Sequence, residues 1–528
     1  MDFGENGDRG YYILNKAGDI DRDGAPDLWL VGESGRSVLI LMNEELRAAG
    51  ASASLTVPPG GIAAISTISD ADLPRVGYAT AALNSDSPAV GIAVLRTSRD
   101  DVVVSEAAVP QSPPTTDALV FIEYRVGVPA LPGRLDSGII DINTGLAVVN
   151  CTSSVADVTY TLRDSAGNVL AMGHGKTAGK AHFALFIDQI HDLAPDFNLP
   201  SDFATTTQFA TLEISSDQPL SILALRQTIN QRGDILYTTT PIADRTLAPE
   251  SVPIYFPQFV DGGGYTSTIM LFSTSNETQH GTIEILDDNG LPLPTKEAGG
   301  ENQASLRYEL SPYGLLRYQT DGSAATVKSG WVKLVPDAGT TAPVGIGVFG
   351  YNPAGVLVTE SGVPASGAVT HARIHVDLSG GHDTGLALVN LVTESATVTV
   401  EAFQSDGSTR VATSSGTIRL VGEGHMAKFA DQLIQNLPEG FTGVLDVNSS
   451  APFAALTVRS LYNQRHDFLL TTFPIAQPYQ RGVSQLLFPQ IAAGGGFKTQ
   501  FIWISPGAGS VGTISFHGHD GKPLAVLK

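Results

Sequence analysis

The 528-residue sequence has little cysteine, little positive charge and no long apolar run. Because Cys151 is its single cysteine, no disulfide can form within the chain, and stability must come from packing, bound ions or assembly. We interpret Cys151 as a small buried residue, the usual state of a free cysteine. No stretch reaches the roughly 18 apolar residues of a membrane-spanning helix, which argues against membrane insertion.

Positive charge is scarce, since 31 Lys and Arg oppose 53 Asp and Glu and the formal net charge is -22. Such an acidic surface repels phosphate backbones and anionic lipid head groups, so nucleic acid is not an expected partner. Residues 1–14 lack the basic and apolar regions of a secretory signal. Either a signal has been removed, or the numbered chain begins inside a longer gene product.

Motifs that would indicate an enzyme are also missing. The sequence contains no GxxxxGK[ST] phosphate loop, GxSxG elbow, HExxH helix or CxxC pair, so we predict a protein that is not an enzyme. Charged residues make up only 16%, while 56 glycines punctuate alternating apolar and polar positions. This composition is typical of many short, half-buried strands joined by tight turns, and it predicts an all-β fold.

The main feature that is present is repetition. The stretch FPQFVDGGGYTSTIMLF, at residues 256–272, returns as FPQIAAGGGFKTQFIWI at 488–504. VVVSEAAVP at 102–110 returns as VLVTESGVP at 356–364, an offset of 356 - 102 = 254. Repetition at long, nearly constant offsets indicates one structural unit used more than once, which we call the Phe-Pro-Gln module. We interpret the glycine triplets inside it as turns, because no helix follows them.

A second unit, the Thr-Gly-Leu module, alternates with the first. Its marks are TGLAVVN and TGLALVN, FIDQIHDLAPDF and FADQLIQNLPEGF, and NQRGDILYTTTPIA and NQRHDFLLTTFPIA. The middle pair has apolar residues at helical spacing before a proline, which predicts one short helix in an otherwise β unit. Modules of this length fit two stacked sheets of roughly seven to nine strands.

These patterns predict tandem, alternating β-sandwich (Ig-like) modules after an N-terminal β-element with an Asp-rich loop. The predicted ranges run in chain order: 1–50, the β-element; 51–114, the second half of a Phe-Pro-Gln module; 115–250, a Thr-Gly-Leu module; 251–366, an intact Phe-Pro-Gln module; 367–480, a second Thr-Gly-Leu module; and 481–528, the first half of a Phe-Pro-Gln module.

The Asp-rich loop is the most specific site signal. Calcium prefers six to eight oxygen ligands, and alternate carboxylates in a tightly turning loop can converge on it. The candidate ligands are four carboxylates and one backbone carbonyl: Asp19, Asp21, Asp23, Ala25 and Asp27. The other interpretation is a solvated Asx-rich turn without an ion.

The flanks of this loop, YYIL and LWLV, are strand-like, and Leu30 replaces the Glu that an EF-hand has at position 12. The segment from Tyr11 to Asn43 instead resembles an FG-GAP repeat, the integrin-type propeller blade. That resemblance implies a calcium-binding loop between two strands.

Other polar residues have weaker signals. His371, His375, His382 and the adjacent Asp383 could in principle hold a transition metal, although exposed histidines of strands and turns are the ordinary interpretation. His182 and His425, at matching positions of the two Thr-Gly-Leu modules, are expected to pack their own copies. Two ion pairs, Arg226 with Asp234 and Arg459 with Asp467, are predicted to hold strand ends.

The whole chain resembles repeat regions of secreted or surface-anchored bacterial proteins, on the strength of FPQFVDGGGYTSTIMLF, FADQLIQNLPEGF and NQRHDFLLTTFPIA. We therefore expect a non-enzymatic, extracellular structural or adhesive protein whose partners are itself or components of a cell surface or matrix. The alternative is an array that binds carbohydrate or protein through exposed aromatic residues such as Trp331, Tyr351 and Trp503.

The two half-modules sharpen this expectation. Half a sandwich leaves an open edge and an uncovered apolar face. The C-terminal half of one subunit could complete the N-terminal half of the next by donating strands, and a head-to-tail contact that does not close gives a filament. The competing explanation is a fragment cut within a module at both ends.

Overall fold

The computed structural model describes residues 12–18, 27–32, 38–41, 50–69, 71–84, 89–413, 417–477, 485–505 and 507–527. The prediction of an all-β fold is confirmed: the chain forms antiparallel sheets that pack as sandwiches. The helical segments are a 3₁₀ helix at Ile187–Asp192, a 3₁₀ turn at Pro353–Gly355 and an α-helix at Ala430–Leu433. Two of them begin within the FIDQ and FADQ motifs, with Phe186 and Phe429 as their N-caps, so the prediction of a short helix in each Thr-Gly-Leu module is confirmed.

The N-terminal sheet has the order β1-β2-β3 and is antiparallel. Its strands are β1 (Tyr12–Gly18), β2 (Asp27–Gly32) and β3 (Val38–Leu41). Gly18 lies opposite Asp27, so strands flank the Asp-rich loop as the sequence predicts. Asp19, Asp21, Asp23 and Ala25, together with the side chain of Asp27, lie outside the described residues.

Five further groups of strands follow among the described residues, in chain order. Residues 50–112 contribute β4 (Ser52–Val57), β5 (Ile62–Ser66), β6 (Arg75–Leu83), β7 (Val90–Arg99) and β8 (Val102–Pro110). The first Thr-Gly-Leu sandwich contains β9 (Thr115–Glu123), β10 (Arg125–Leu131), β11 (Arg134–Asn150), β12 (Ala156–Arg163), β13 (Val169–Thr177), β14 (His182–Phe186), β15 (Phe209–Ile229), β16 (Ile235–Thr240) and β17 (Ile242–Asp244).

The intact sandwich contains β18 (Ile254–Asp261), β19 (Tyr265–Phe272), β20 (Gln279–Asp287), β21 (Ser305–Leu310), β22 (Leu315–Gln319), β23 (Lys328–Pro336), β24 (Val344–Tyr351) and β25 (Thr359–Pro364). The second Thr-Gly-Leu sandwich contains β26 (Val369–Asp377), β27 (His382–Asn390), β28 (Ala396–Gln404), β29 (Arg410–Thr413), β30 (Ile418–Leu420), β31 (His425–Phe429), β32 (Thr442–Tyr462) and β33 (Phe468–Phe473). The chain continues with β34 (Gln485–Ala493), β35 (Phe497–Ile504) and β36 (Ser510–His517).

The two half-modules complete each other within this one chain. Strands β34 and β36 enter a sheet of order β34-β6-β36-β4, and β35 enters the facing sheet, β5-β35-β7-β8. The result, residues 50–112 with 485–527, is here called the split sandwich. The intact sandwich has the same strand order, β18-β23-β20-β21 and β22-β19-β24-β25. The split sandwich is therefore a circularly permuted copy of the intact one.

The core of the split sandwich draws on both halves. Phe501 of β35 lies at its centre, with ring centroids 5.2 Å from Phe488, 5.7 Å from Trp503 and 5.6 Å from Phe516. These four rings pack against Leu55, Ala79, Ala81, Leu95 and other apolar residues of the N-terminal half. Burying large aromatic side chains is a major source of stability, so neither half has a complete core alone.

The glycine triplets cross between the two sheets of each Phe-Pro-Gln sandwich. Gly262, Gly263 and Gly264 have φ values of 77°, 60° and 93°, and residues 494–496 repeat this pattern. Only glycine adopts such left-handed conformations at little steric cost, which confirms the interpretation of the triplets as turns.

Each Thr-Gly-Leu sandwich is built around one long strand that serves both layers. The first half of β15 pairs with β12 and β9, and its second half pairs with β11 and β16. Strand β32 has the same role in the second copy, where it pairs with β28 and then with β27 and β33. The two layers are thus hydrogen-bonded through a shared strand.

The four sandwiches form a closed ring with approximate twofold symmetry. Apolar clusters join the split sandwich to the first Thr-Gly-Leu sandwich, that one to the intact sandwich, the intact sandwich to the second Thr-Gly-Leu sandwich, and the last back to the split sandwich. Each Phe-Pro-Gln sandwich therefore presents one sheet to each neighbour, and the ring leaves β8, β16, β25 and β33 at its centre.

Candidate functional site

The central strands β8, β16, β25 and β33 come from four different sandwiches and are joined by hydrogen bonds to side chains. The backbone N–H of Tyr237 donates to Ser105 Oγ at 3.0 Å, and the N–H of Leu470 donates to Thr359 Oγ1 at 3.0 Å. Both pairs follow the repeat offsets, 359 - 105 = 254 and 470 - 237 = 233. The strands at the centre of the ring are thus joined by polar contacts that recur at equivalent positions in both halves of the molecule.

At one end of the axis lie the two Asn-Gln-Arg turns. The amide of Asn230 donates to the carbonyl of Leu357 at 2.8 Å, and Asn463 donates to the carbonyl of Val103 at 2.9 Å. Each turn therefore docks onto the neighbouring Phe-Pro-Gln sandwich in the same way, which explains why this motif recurs in both copies.

The aspartates of these turns form ion pairs across the ring. Arg232 donates to Asp467 at 2.7 Å, and Arg465 donates to Asp234 at 2.7 Å. These contacts join the two Thr-Gly-Leu sandwiches directly. The prediction that Arg226 pairs with Asp234 is wrong, as is its counterpart for Arg459 and Asp467, because other acidic side chains lie closer to both buried arginines.

Arg226 joins two carboxylates from different sandwiches. Its Nε donates to Glu123 at 2.8 Å, and its guanidinium also donates to Glu360 of the intact sandwich. Burial by itself raises the pKa of Glu123, but the charges of Arg226, Arg317 and Arg125 outweigh burial and lower the pKa to about 2. The Glu123 carboxylate is consequently ionised at neutral pH and stays paired with Arg226.

Arg459 occupies the equivalent place in the second Thr-Gly-Leu sandwich. It donates to Asp377 at 3.3 Å and lies 3.9 Å from Glu106 of the split sandwich. Burial raises the pKa of Glu106, but the hydrogen bond with His382 and the charges of Arg459 and Arg96 lower it to about 2. Both arginines thus bridge a carboxylate of their own sandwich to one of the next.

At the other end of the axis is a largely apolar cavity of about 310 Å³. Each of the four central strands is followed or terminated there by a proline, which cannot donate to a ladder. These four prolines, Pro110, Pro241, Pro364 and Pro474, all line the cavity, as does Pro113. The volume falls at the lower limit of the range of about 300 to 1,000 Å³ typical of small-molecule sites.

Four polar atoms of residues that line this cavity have no hydrogen-bond partner among the described residues. They are the hydroxyls of Thr238, Thr240 and Ser361 and the amide oxygen of Gln111. The three hydroxyl residues are each only 3% exposed. All four atoms are enclosed by protein, so they lie within the walls of the cavity and do not face its open space.

The lining of the cavity is not symmetric about the pseudo-twofold axis, because it includes Thr240 but not Phe473. Thr240 and Phe473 occupy equivalent positions, since 473 - 240 = 233, the offset of the Asn-Gln-Arg motifs. Phe473 is buried and packs with Ile62, Val90 and Ile502. The smaller threonine leaves the corresponding volume open.

The recurring histidines contact neighbouring sandwiches in addition to packing their own. The backbone N–H of His182 donates to the backbone carbonyl of His519 at 2.9 Å, and the backbone N–H of His425 donates to the backbone carbonyl of Asp288 at 3.1 Å. The His182 and His519 rings also lie with their Nδ1 atoms 3.0 Å apart. Burial, with His519 nearby, lowers the pKa of His182 to about 4.

The other candidate histidines do not converge. His371 pairs with Asp446 at 2.8 Å, His375 is buried, and His382 hydrogen-bonds with Arg96 at 3.0 Å. In the described part of the chain, no group of three or more His, Cys, Asp or Glu side chains is placed to hold a metal ion.

The proposed aromatic binding residues are not exposed platforms. Trp331 is 1% exposed and donates its indole N–H to the carbonyl of Glu423, and Trp503 is wholly buried. Tyr351 is half-buried and stacks on Tyr265 with centroids 4.3 Å apart. The expectation of exposed tryptophans is wrong because both side chains fill sandwich cores or interfaces.

Cys151 is half-buried and not fully buried as expected. Burial raises the pKa of its thiol to about 11, which keeps the thiol protonated at neutral pH.

The acidic partners of the central arginines were not identified from the sequence. They are Glu106, Glu123, Glu360 and Asp377. A signal was nevertheless available, because VVVSEAAVP and VLVTESGVP each have a glutamate inside an otherwise apolar strand. Glutamate is seldom buried unless it is paired, so its recurrence in both copies indicates a buried partner.

No family model and no curated protein sequence matches the chain. Among solved structures, a cryo-EM structure of Broad Bean Stain Virus has 9% identity and a TM-score of 0.14, and covers 48% of this chain and 92% of that chain. The structure of infectious bursal disease virus Gx strain has 10% identity and a TM-score of 0.12, covering 72% and 80%. A T13 particle of the same virus has 10% identity and a TM-score of 0.11, covering 71% and 76%. TM-scores this low support no argument about fold or function.

In the described part of the chain, no helix combines the length and the apolar character that crossing a membrane requires.

Proposed function

We propose that this protein is a non-enzymatic structural or adhesive protein of the extracellular space or the cell surface, acting as a closed body of four β-sandwiches. The observation that supports the proposal most directly is the closure of the ring by β34, β35 and β36, which fill the split sandwich of their own chain. A body closed in this way resists opening at the point where its two half-modules meet.

The chemistry along the axis is consistent with this role. Arg226 and Arg459 each neutralise a carboxylate of their own sandwich and lie beside one of the next, so their charges help to hold neighbouring sandwiches together. A filament, as considered from the sequence, would need residues 485–527 to leave their own split sandwich and enter that of another chain. This is domain swapping, in which the same contacts form between subunits.

The mass of the particle in solution tests the closed form against the filament. Light scattering after size-exclusion chromatography should give the mass of one chain, and negative-stain electron microscopy should show single compact particles. Regular fibres in fresh preparations would contradict the closed form and support the domain-swapped filament.

The location and role can be tested on the organism that encodes the protein. Antibodies against residues 251–366 should label unpermeabilised cells, their matrix or the culture medium. Labelling that requires permeabilisation would contradict an extracellular role. Beads coated with native protein should adhere to those surfaces more than beads coated with heat-unfolded protein.

We also propose calcium at the Asp-rich loop, with Asp19, Asp21, Asp23 and Asp27 and the carbonyl of Ala25 as ligands. The antiparallel pairing of β1 and β2 supports it, because a hairpin loop is where alternating carboxylates can converge. Calorimetric titration of calcium into chelator-treated protein should release or absorb heat, and Asp21→Ala should abolish the signal. A signal that is absent, or unchanged by the substitution, excludes the site.

A further inference from the structure

We propose that the contact between His182 and His519 is an acid-sensitive seam of the ring, and that the symmetry-related contact between His425 and Asp288 is not. The seam joins the first Thr-Gly-Leu sandwich to the turn after β36, so its opening loosens the C-terminal segment that completes the split sandwich. This inference goes beyond a structural or adhesive role and does not depend on it.

The two contacts are equivalent in the repeat. His182 and His425 are related by 425 - 182 = 243, the offset of FIDQ and FADQ, and Asp288 and His519 by 519 - 288 = 231, the offset of GTIEILDDNGLPL and GTISFHGHDGKPL. The backbone N–H of each buried histidine donates to the backbone carbonyl of the residue opposite. The backbone contact is thus the same, whereas the side chain that meets the histidine ring is an imidazole in one and a carboxylate in the other.

In the seam, the position of the shared hydrogen follows from the acceptors. Nδ1 of His519 lies 3.0 Å from Nδ1 of His182 and 3.3 Å from the carbonyl oxygen of the same residue. A carbonyl oxygen can only accept, so Nδ1 of His519 is the donor and Nδ1 of His182 accepts. A proton added to Nδ1 of His182 would place two N–H donors against each other, and the hydrogen bond would be lost.

The contact of His425 responds to acid in the opposite way. Its Nδ1 lies 2.8 Å from Oδ1 of Asp288. The ionised carboxylate can only accept, so Nδ1 of His425 donates. Protonation of the His425 ring leaves this hydrogen bond in place and adds a charge opposite to that of the carboxylate, which strengthens it.

The groups around the seam do not favour a second proton. The other titratable side chains near it come from β6, from β36 and the turn that follows, and from the first Thr-Gly-Leu sandwich: Tyr78, His517, Asp520, Lys522, Cys151 and Lys180. Burial raises the pKa of Tyr78 to about 12 and that of Cys151 to about 11, and it lowers the pKa of His517, so these groups are neutral at pH 7. Lys180 is a cation, and the carboxylate of Asp520 lies 3.6 Å from the ammonium of Lys522.

The sign of the pH dependence follows from proton uptake. Burial, with His519 nearby, lowers the pKa of His182 to about 4, whereas an exposed histidine has a pKa of about 6.5. Between these values the open seam binds one proton more than the closed seam. Closure is therefore fully favoured above about pH 6.5 and is lost as the pH falls towards 4, by up to about tenfold in the opening constant for each pH unit.

Hydrogen exchange of two backbone amides in the full chain tests the seam with an internal control. The amides of His182 and His425 each donate across their own contact, so each exchanges when that contact opens. We expect the protection factor of His182, corrected for the intrinsic effect of pH on exchange, to fall about twentyfold from pH 7 to pH 5. The protection factor of His425 should not fall. Equal losses at the two amides, or no loss at His182, overturn the proposal.

Two reciprocal variants connect the response to the exchanged side chain, and both change an exposed residue. His519→Asp should abolish the acid-dependent loss at His182, and Asp288→His should create such a loss at His425. His191→Gln, at an exposed position, is the control and should change neither amide.

Thermal unfolding of each variant shows whether it is folded. If folded His519→Asp keeps the acid-dependent loss at His182, the proposal is refuted. If that variant does not fold, Asp288→His decides the question, because an unchanged amide of His425 would show that paired imidazoles do not make the contact acid-sensitive.

Discussion

Arg226 and Arg459 are the residues on which the centre of the ring most depends. Each is almost fully buried, and each joins carboxylates that belong to two sandwiches. A buried ion pair adds little stability relative to an apolar substitute, but removal of one partner leaves an uncompensated charge. Substitution of either arginine is therefore expected to be costly because it leaves buried carboxylates without their cationic partner.

Substitution Arg226→Met tests this dependence. Glu360 would retain the hydroxyl of Thr228 but lose its guanidinium partner, so we expect a loss of about 3 to 5 kcal/mol in the free energy of unfolding. Urea unfolding followed by circular dichroism measures it. Arg410→Met, at the half-exposed pair with Glu401, should change stability by no more than about 1 kcal/mol. Equal losses in the two variants would argue against a special role for the buried pair.

Buried histidines give the protein a pH dependence with a definite sign. Burial lowers the pKa of His375 to about 4, with a contribution from Arg459, and the pKa of His182 is lowered to about 4 as well. A pKa lowered in the folded state means that stability is fully present above the unfolded value of about 6.5 and is lost as pH falls from there towards 4.

We predict that lowering the pH from 7.5 to 5.5 costs about 1 kcal/mol per buried histidine in urea unfolding experiments. His375→Leu should remove its share of that loss. It should be tolerated at pH 7.5, because Nδ1 of His375 has no partner among the described residues. His191→Gln, at an exposed position, serves as the control and should keep the wild-type slope. An unchanged slope in His375→Leu would refute the assignment.

At the scale of elements, β34, β35 and β36 decide the architecture. They follow residues 478–484 in the chain but hydrogen-bond to strands near its other end, such as Gln485 with Ala82 and Phe501 with Ile65. The contacts of a complete module are thus supplied across more than 400 positions of sequence. Such non-local pairing is typical of slowly folding β proteins.

Cleavage of the connection tests how firmly these strands are held. A protease site engineered within residues 478–484 should allow complete cleavage, after which residues 485–528 should still co-elute with the remainder in native buffer. Release in native buffer would show that the ladder and the core do not hold the segment.

The core position Phe501 and the surface position Val511 provide the matched comparison on the same segment. Phe501→Ala should cost about 3 to 5 kcal/mol because it leaves a cavity among the three remaining aromatic rings, and it should promote release after cleavage. Val511→Ala, at a 60% exposed side chain, should have little effect.

At the scale of the whole molecule, the two Thr-Gly-Leu sandwiches are not neighbours in the ring but meet at its axis. The pairs Arg232 with Asp467 and Arg465 with Asp234 cross that axis in a symmetric manner. These ion pairs join two sandwiches that are not adjacent in the ring, so the energy of each pair indicates whether the ring is closed in solution.

Charge reversal measures this link. Arg232→Asp and Asp467→Arg should each destabilise the protein, and the double variant should recover about 0.5 to 1 kcal/mol relative to the sum of the single effects. A double-mutant cycle in urea supplies the coupling energy. Strict additivity of the two single effects would mean that the turns do not interact in solution.

Local patterns were sufficient for the fold class. The alternation of apolar residues predicts strands, the FIDQ and FADQ motifs predict the short helices, and the glycine triplets predict turns, because each depends on residues close together in sequence. Comparison of the repeats also showed that residues 51–114 and 481–528 match complementary halves of a Phe-Pro-Gln module, although it did not show that the two halves join within one chain.

Other properties depended on which surfaces meet. A strand pattern shows that Trp331, Trp503 or Arg226 lies in a module, but it does not specify what packs against that residue from another module. The partner of Arg226 proved to be Glu360, a residue 134 positions away, instead of the nearby Asp234. Likewise, the sequence does not specify whether the two half-modules pair within one chain, because this depends on how close the folded chain brings them.

The sequence by itself determined that this protein is a set of alternating β-sandwich modules, because periodicity and repetition are properties of the chain. Only the tertiary structure decided that the ring closes on itself, that Arg226 and Arg459 join its sandwiches at the axis, and that a cavity lies at one end of the axis. The physical reason is that interfaces form between residues that sequence separates. The exchange of Phe473 for Thr240 becomes a cavity only after the two positions are placed around one axis.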